Sequence, residues 1–239
     1  MLALTFLFKK IAQHRELLDY EPELLDTATS NTMAGAYVVL GFVLVLAMST
    51  VADLENGVSE EATTIKSLER LFVLDGSGPA LNSREHLLKY TKSILVDEWP
   101  LLPLGHGSIK SSAELNELYA SLEKINPKDD KAEIIFSKIL DQSARVGELR
   151  NKRNFSIEST LPQVFYVVSL LSVLAVVVIC AMRLMKGSVI RVVVLSIQVI
   201  MLTLIFSAIL IIDLPHLGDT RTSAEPILKA YDSMSARKL

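Results

Sequence analysis

LPQVFYVVSLLSVLAVVVICAM, at residues 161–182, runs for 22 positions without a charged side chain. An α-helix rises about 1.5 Å per residue, so a helix of this length matches the thickness of the hydrocarbon core of a bilayer, about 30 Å. Residues 33–54 and 189–212 have the same character, and their only charged residues, Asp53 and Arg191, stand near an end. The sequence therefore predicts three transmembrane helices.

The composition is that of a membrane protein with a water-exposed part. Hydrophobic residues make up 50% of the chain and its mean hydropathy is +0.39, which is too apolar for an ordinary soluble domain. Charged residues concentrate outside the three stretches, and the net charge of −3 predicts no nucleic-acid partner. The single cysteine, Cys180, lies within residues 161–182, where we interpret it as a small apolar side chain facing lipid or a neighbouring helix.

Residues 1–32 predict an interfacial amphipathic helix followed by a linker. The first twenty residues begin apolar and become amphipathic after Lys10, which is typical of a helix at the membrane surface with its lysines among the headgroups. A signal peptide is not expected, because the basic residues follow the apolar run instead of preceding it. Glu21-Pro22 and the polar run Thr27–Thr32 predict a break before the first span.

Residues 55–160 predict an extramembrane helical domain, which makes the fold class all-α. Apolar residues recur at helical spacing in the continuation of the first span to Asp75 and in residues 83–99, 113–125 and 129–154. Turns that contain glycine or proline separate these segments. Each segment has one apolar stripe and is not stable alone, so the four should pack as a bundle or against copies of the chain.

The loop between the second and third spans predicts the orientation. Arg183, Lys186 and Arg191 lie in it or at its ends within nine positions, without an acidic residue. Short basic loops remain on the cytoplasmic side, which places the N-terminus inside and the helical domain and the C-terminal tail, 213–239, outside. Four basic residues before the second span favour the opposite orientation, but long domains weigh less than short loops: these are Arg145, Arg150, Lys152 and Arg153.

The sequence predicts no enzyme, no metal site and no cofactor. Its four histidines lie in separate segments, without a second ligand at the three- or four-residue spacing of a helix-borne metal site. The acidic pair Asp97-Glu98 before Trp99-Pro100 allows two interpretations. It is either a cation or partner site at the membrane face, or a helix end with solvated carboxylates and a packed indole.

Hydroxyl side chains follow one face of the third span, at Ser196, Thr203 and Ser207. They fit a water-lined channel helix, but we favour a helix that uses hydroxyls to bond carbonyls of its own backbone or of a neighbour. No charged residue stands in the middle of a span, so the usual marker of a proton relay or voltage sensor is missing. Selectivity would then come from oligomer geometry or from charges at the ends of the spans.

Several motifs occur in the order and spacing of a known family: 31–35 (NTMAG), 97–100 (DEWP), the basic 150–153 followed by Leu161-Pro162, 213–218 (DLPHLG) and 223–226 (SAEP). In them the sequence resembles the domain-of-unknown-function 4239 family of bestrophin-like integral membrane proteins, found in bacteria and plastids, over roughly residues 25–230. It departs from the family in a shortened first helix, residues 1–8, and in His216, which replaces an aromatic residue. The motifs supply the candidate functional residues: Asp97, Glu98, Trp99, Pro100, Asp213, Pro215, Gly218 and Pro226.

The resemblance implies a protein of the bacterial inner (plasma) membrane and, through the bestrophin-like label, a homo-oligomeric ion channel that conducts anions. Three helices from one chain cannot enclose a hydrated pore, so this hypothesis requires oligomerisation. The alternative is a non-conducting sensor, scaffold or accessory subunit whose residues 55–160 bind a protein partner.

Overall fold

The computed structural model describes residues 22–155, 161–184, 189–213 and 222–237. All regular structure in these ranges is helical, as the sequence predicts. The elements are α1 (Pro22–Asp75), α2 (Gly78–Ser93), a π-helix (Ile94–Glu98), a 3-10 helix (Trp99–Leu104), α3 (Ile109–Leu122), α4 (Asp130–Phe155), α5 (Gln163–Leu184), α6 (Val189–Ile212) and α7 (Glu225–Ser235). Within these ranges, α1, α5 and α6 are long and apolar enough to cross a membrane. The fold class is therefore confirmed.

The chain divides into two compact units, and α1 contributes to both. We call residues 1–49 and 160–213 the membrane unit, and residues 50–159 and 214–239 the helical domain. The amphipathic helix predicted for the first twenty residues lies outside the described residues.

The helices of the membrane unit pack along seams of buried side chains three, four or seven residues apart. The buried positions include Met33, Ala36, Leu40, Val43 and Ala47 of α1, Val176 and Cys180 of α5, and Leu195, Leu202 and Ile209 of α6. This spacing is typical of left-handed helix bundles. Side chains on the opposite faces are apolar and open, with Phe42 at 74% exposure, so the outer surface of this unit suits lipid or another subunit.

The helix α1 is unbroken over 54 residues, so the linker predicted to end at residue 32 is wrong over Thr27–Thr32. Thr29 is buried, and its hydroxyl donates to the Leu25 carbonyl at 2.6 Å. That bond satisfies a polar side chain within a helix, which the sequence pattern alone treats as a helix breaker. Pro22 is the first helical residue, a position where proline is tolerated because no intrahelical N–H bond is needed there.

In the helical domain, two helices begin earlier than their apolar stripes predict because serines cap them. The Ser77 hydroxyl accepts from the Ala80 N–H at 3.4 Å, so α2 begins at Gly78 and not at Ser83. The Ser108 hydroxyl accepts from the Ser111 N–H at 3.2 Å and starts α3. Such side-chain acceptors satisfy N–H groups that the first turn leaves unpaired. The helices enclose a core that includes Ile65, Leu68, Phe72, Leu87, Tyr90, Leu118 and Ile139.

The C-terminal tail contains a helix, α7, that the sequence analysis did not predict. Its apolar side chains Ile227, Ala230 and Met234 are buried in the core of the helical domain. Glu69 of α1 pairs with both Arg84, at 2.8 Å, and Arg237, at 2.9 Å, while Arg84 also donates to the Met234 carbonyl at 2.7 Å.

The place of α7 constrains how α5 and α6 cross the membrane. The chain leaves the helical domain after α4, passes through α5 and α6, and returns to the same domain with α7. A chain that ends on the side where it started has crossed the bilayer an even number of times. The two apolar helices α5 and α6 therefore both cross, or neither does.

Candidate functional site

The backbone at Asp97–Pro100 changes from one helix type to another, and this change turns Glu98 inward. The α-helix predicted to reach Trp99 ends at Ser93, and the Trp99 N–H bonds to the Ile94 carbonyl, five residues earlier. Pro100 has no N–H and its ring would clash with the carbonyl four residues back, so a wider π-turn precedes it. Gly105, at φ 80°, then ends the 3-10 helix in the left-handed conformation that glycine permits.

Glu98 is fully buried and joins two elements that are distant in sequence. Its carboxylate pairs with Arg150 and, at 2.8 Å, with Arg153, both on α4. It also accepts from the Ser108 N–H at 3.3 Å. Arg150 in turn donates to the Ser108 carbonyl at 3.3 Å and to the Ser112 hydroxyl at 2.9 Å. The start of α3 is thereby held against the last turns of α4.

A second buried carboxylate, Glu61 of α1, completes the cluster. Arg153 donates to it through Nε at 2.8 Å and through Nη2 at 3.2 Å, a two-point contact of the kind that suits a guanidinium and a carboxylate. The same guanidinium lies 5.7 Å from the centre of the Trp99 ring, within cation–π range. We call Glu61, Glu98, Arg150 and Arg153 the charged core.

Two members of the charged core, Glu98 and Arg153, have pKa values shifted in the direction that favours their charged forms. Burial raises the pKa of Glu98, but the hydrogen bond and charge of Arg150 and those of Arg153 lower it by more, so it lies below its ordinary value of 4.5. Burial lowers the pKa of Arg153, but Glu61, Tyr90 and Glu98 together raise it by more, so Arg153 remains charged. Tyr90 has a pKa well above 10.0, first because it is buried and next because Glu61 is near, so its hydroxyl keeps its proton.

This arrangement fits a structural clamp better than a reaction site. Two carboxylates and two guanidiniums balance in charge, and each pairs within the domain. Among the described residues no group of three His, Cys, Asp or Glu side chains could hold a metal ion. Desolvated ion pairs add little net stability over apolar packing, but they penalise every arrangement that separates them. The charged core therefore fixes how α1, α4 and the segment from Glu98 to Ser108 meet.

A model of the bestrophin-like domain matches residues 18–227, which is most of the chain. The chain belongs to the bestrophin-like family. No curated protein and no solved structure matches it. With its three long apolar helices, it is a membrane protein of this family.

The family motif 97–100 of this bestrophin-like chain divides into residues with different surroundings. Asp97 is half-buried and pairs with Lys110 at 3.0 Å on the surface. Glu98 is in the charged core, so the interpretation as a pair of solvated carboxylates does not apply to it. The Trp99 indole is half-buried beneath Arg153, and Pro100 is exposed. The motif thus joins one interior charge to a surface turn.

The other motif residues that the structure describes lie away from the charged core. Asp213 is buried at the end of α6, and its carboxylate accepts from the Leu161 N–H at 2.9 Å, which ties this end of α6 to the start of α5. Pro226 lies in the first turn of α7 and is half-buried. Pro215 and Gly218 lie outside the described residues.

The basic loop residues stand at the helix ends of the membrane unit. Arg183, in the last turn of α5, pairs with Asp26 near the start of α1 at 2.7 Å. Arg191, in the first turn of α6, is exposed, and Lys186 lies outside the described residues. Of the hydroxyls in the third span, that of Thr203 donates to the Val199 carbonyl of its own helix at 2.8 Å, which fits the backbone-bonding interpretation.

Sequence reasoning missed Glu61 and the burial of Arg150 and Arg153, although a signal was present. Arg150 and Arg153 continue the buried stripe of α4, which includes Ile139, Ser143 and Val146 at alternating steps of four and three residues. Glu61 likewise stands four residues before Ile65 on the buried stripe of α1. Opposite charges at stripe positions of two helices predict a buried pair, because neither can be buried alone.

Proposed function

We propose that this chain is one subunit of an oligomeric membrane channel for small ions, with anions as the preferred ions. The observation that carries the proposal is the bestrophin-like match over residues 18–227 on a chain with three helices able to cross a membrane. The family is associated with channels and not with enzymes. Within it, we assign the chain to the domain-of-unknown-function 4239 family on the motifs at 97–100 and 213–218.

The packing of the membrane unit supports a path between subunits. Its seam is closed, since Leu40, Val176 and Leu202 are at most 1% exposed. Three helices packed in this way leave no opening along their own axis, so an ion path needs helices from several copies. The outward faces of α1, α5 and α6 carry exposed apolar side chains that another copy could cover.

The charges at the span ends support a preference for anions. The sequence has no acidic residue between Asp26 and Asp53, nor between Leu161 and Ile212. Arg191 is exposed at one end of α6, while Asp26 balances Arg183. A ring of Arg191 side chains, one from each subunit, would raise the local anion concentration at the mouth of a shared path.

Reconstitution tests the channel proposal. The purified protein is placed in liposomes and chloride efflux is followed with a chloride-quenched dye, with protein-free liposomes as the baseline. We expect flux above the baseline and a native mass of several chains. Arg191→Glu should lower the preference for chloride over potassium, whereas Lys138→Glu, the same charge change on an exposed residue of the helical domain, should not. A monomeric protein without flux would refute the channel.

The unbroken helix α1 favours a second candidate, a non-conducting sensor or scaffold. One helix carries both the seam of the membrane unit and two carboxylates of the helical domain, Glu61 and Glu69, that lie in buried ion pairs. A partner bound to the helical domain would then act on the same helix that enters the membrane. Specific capture of a membrane partner by a chain that shows no flux would favour this candidate.

We propose that the N-terminus is cytoplasmic and that the helical domain and the C-terminus lie outside the bacterial inner membrane. The basic loop at Arg183–Arg191 supports this orientation. The competing basic residues have other roles in the domain: Arg145 pairs with Glu60 and Glu148, and Arg150 and Arg153 belong to the charged core. Their presence before the second span therefore has a structural reason that does not depend on orientation.

A further inference from the structure

Three large apolar side chains of the helical domain are exposed near one end of α4. Leu104 is 67% exposed, Ile109 is 89% exposed and Phe155 is 85% exposed. We call these three residues the apolar rim. Side chains of this size in water carry an unfavourable hydration cost, and several in one place mark a surface that meets another apolar phase.

Contacts within the domain bring the members of the rim to the same end. A Cβ atom on Gly107 would lie 3.2 Å from the side-chain nitrogen of Asn154, the neighbour of Phe155. One residue on, the Ser108 carbonyl accepts from Arg150 at 3.3 Å. The loop between Leu104 and Ile109 is thus seated on the last turn of α4, which ends at Phe155.

The covalent chain limits how far this end of the domain can lie from the bilayer. Phe155 precedes Leu161, where the second apolar stretch begins, by only six residues. Even fully extended, six residues reach about 20 Å. Phe155 therefore cannot lie farther than this from the start of the second apolar stretch. Leu74, another exposed leucine, stands 21 residues beyond Asp53 on α1 and so lies about 30 Å along that helix from the span end.

We propose that the apolar rim inserts into the headgroup region of the bilayer that α5 and α6 enter. Isoleucine, leucine and phenylalanine side chains suit the boundary between headgroups and acyl chains. Lys152, exposed one turn before Phe155, can extend its ammonium group to lipid phosphates. The occupant is lipid because Phe155 stands only six residues before the apolar stretch that begins at Leu161. Through Ser108 and Glu98, the inserted loop is also bonded to the charged core.

Nitroxide labels on the full-length chain test this insertion. In a Cys180→Ala background, single cysteines replace Leu104, Ile109, Phe155 or Leu74, and each labelled protein is placed in nanodiscs of phosphatidylcholine and phosphatidylglycerol. Oxygen concentrates in lipid and a nickel chelate in water, so the ratio of their collision rates reports depth. We expect this ratio to be several-fold higher at the three rim positions than at Leu74. The control has nearly the same exposure, 62% against 67% for Leu104.

The outcomes separate lipid from other environments. Ratios at the rim equal to that at Leu74 would place these side chains in water and overturn the proposal. Labels shielded from both reagents would show a protein partner on the rim and would also overturn it. Because all four positions are exposed, the labelled proteins should keep the helical content of the parent, which circular dichroism checks. This proposal does not depend on ion conduction, so the absence of flux leaves it standing.

Discussion

Glu98→Gln removes one of the two negative charges of the charged core while keeping the shape of the side chain. It leaves Arg150 and Arg153 with Glu61 as the only carboxylate of the core, and their side chains are only 8% and 3% exposed. Removing one partner of a buried ion pair typically costs about 3–5 kcal/mol, because the charge left behind has lost its solvent. For a domain of this size that corresponds to a fall in Tm of roughly 10 °C or more.

The chain supplies its own reporter for this measurement. Trp99 is the only tryptophan and its ring lies 5.7 Å from the Arg153 guanidinium. Its fluorescence therefore follows unfolding at the charged core. The assay is thermal unfolding of the full-length protein in mild detergent. The neighbouring carboxylate gives a matched control: Asp97→Asn breaks a pair with Lys110, whose side chain is 65% exposed, and should cost less than about 1 kcal/mol.

The two variants should differ clearly in stability, because Glu98 is buried and Asp97 pairs on the surface. Equal, small losses for Glu98→Gln and Asp97→Asn would mean that the buried cluster contributes no more than a surface pair. A loss of the folded signal at all temperatures for Glu98→Gln alone would agree with the predicted direction. In that case the contribution of the buried ion pairs is measured with Arg150→Lys. This variant keeps the positive charge and removes the second hydrogen bond to the Glu98 carboxylate.

Three further results are expected. The net effect of burial and of the two guanidiniums is to lower the pKa of Glu98 below 4.5. The contribution of Glu98 to stability is therefore complete above about pH 4.5 and is lost as the pH falls further. Trp99 unfolding curves should show this loss of stability in acid for the parent protein and a smaller loss for Glu98→Gln. Ile227→Ala should lower the free energy of unfolding by about 2–5 kcal/mol on the same curves, since Ile227 is fully buried. Leu228→Ala, at 46% exposure, should change it by no more than about 0.5 kcal/mol. Equal losses would show that α7 is not part of the core. Asp213→Ala removes the acceptor of the Leu161 N–H and should cost about 1–3 kcal/mol, measured by thermal aggregation in detergent, whereas Asp213→Asn keeps an oxygen there and should lose less.

The sequence predicted what depends on composition and periodicity. Uncharged runs of about twenty residues identified the three apolar helices, because the bilayer sets both their length and their polarity. Apolar stripes located α2, α3 and α4, but not the first residues of α2 and α3, which serine caps set. The break expected at Thr27–Thr32 failed because a threonine hydroxyl can bond its own helix.

The remaining features depend on tertiary contacts that no local pattern contains. The helix α7 is only 11 residues long, so it is stable because Ile227, Ala230 and Met234 are buried against other helices. The inward turn of Glu98 depends on a π-helix and on two arginines 52 and 55 positions later. Charged residues on an apolar stripe predict that a charge is buried. They do not predict its partner, which depends on how the helices pack.

Cysteine accessibility tests whether α5 and α6 both cross the membrane and return the C-terminus to the side of the helical domain. In a Cys180→Ala background, single cysteines replace Leu74 in the domain, Asp232 in α7 or Arg191 at the start of α6, all of them exposed. A membrane-impermeant maleimide is applied to intact cells and then to permeabilised cells. We predict that Leu74→Cys and Asp232→Cys react in intact cells and that Arg191→Cys reacts only after permeabilisation. The reverse pattern would invert the proposed orientation and keep the crossing of α5 and α6, whereas reaction of all three from one side would show that neither of these helices crosses.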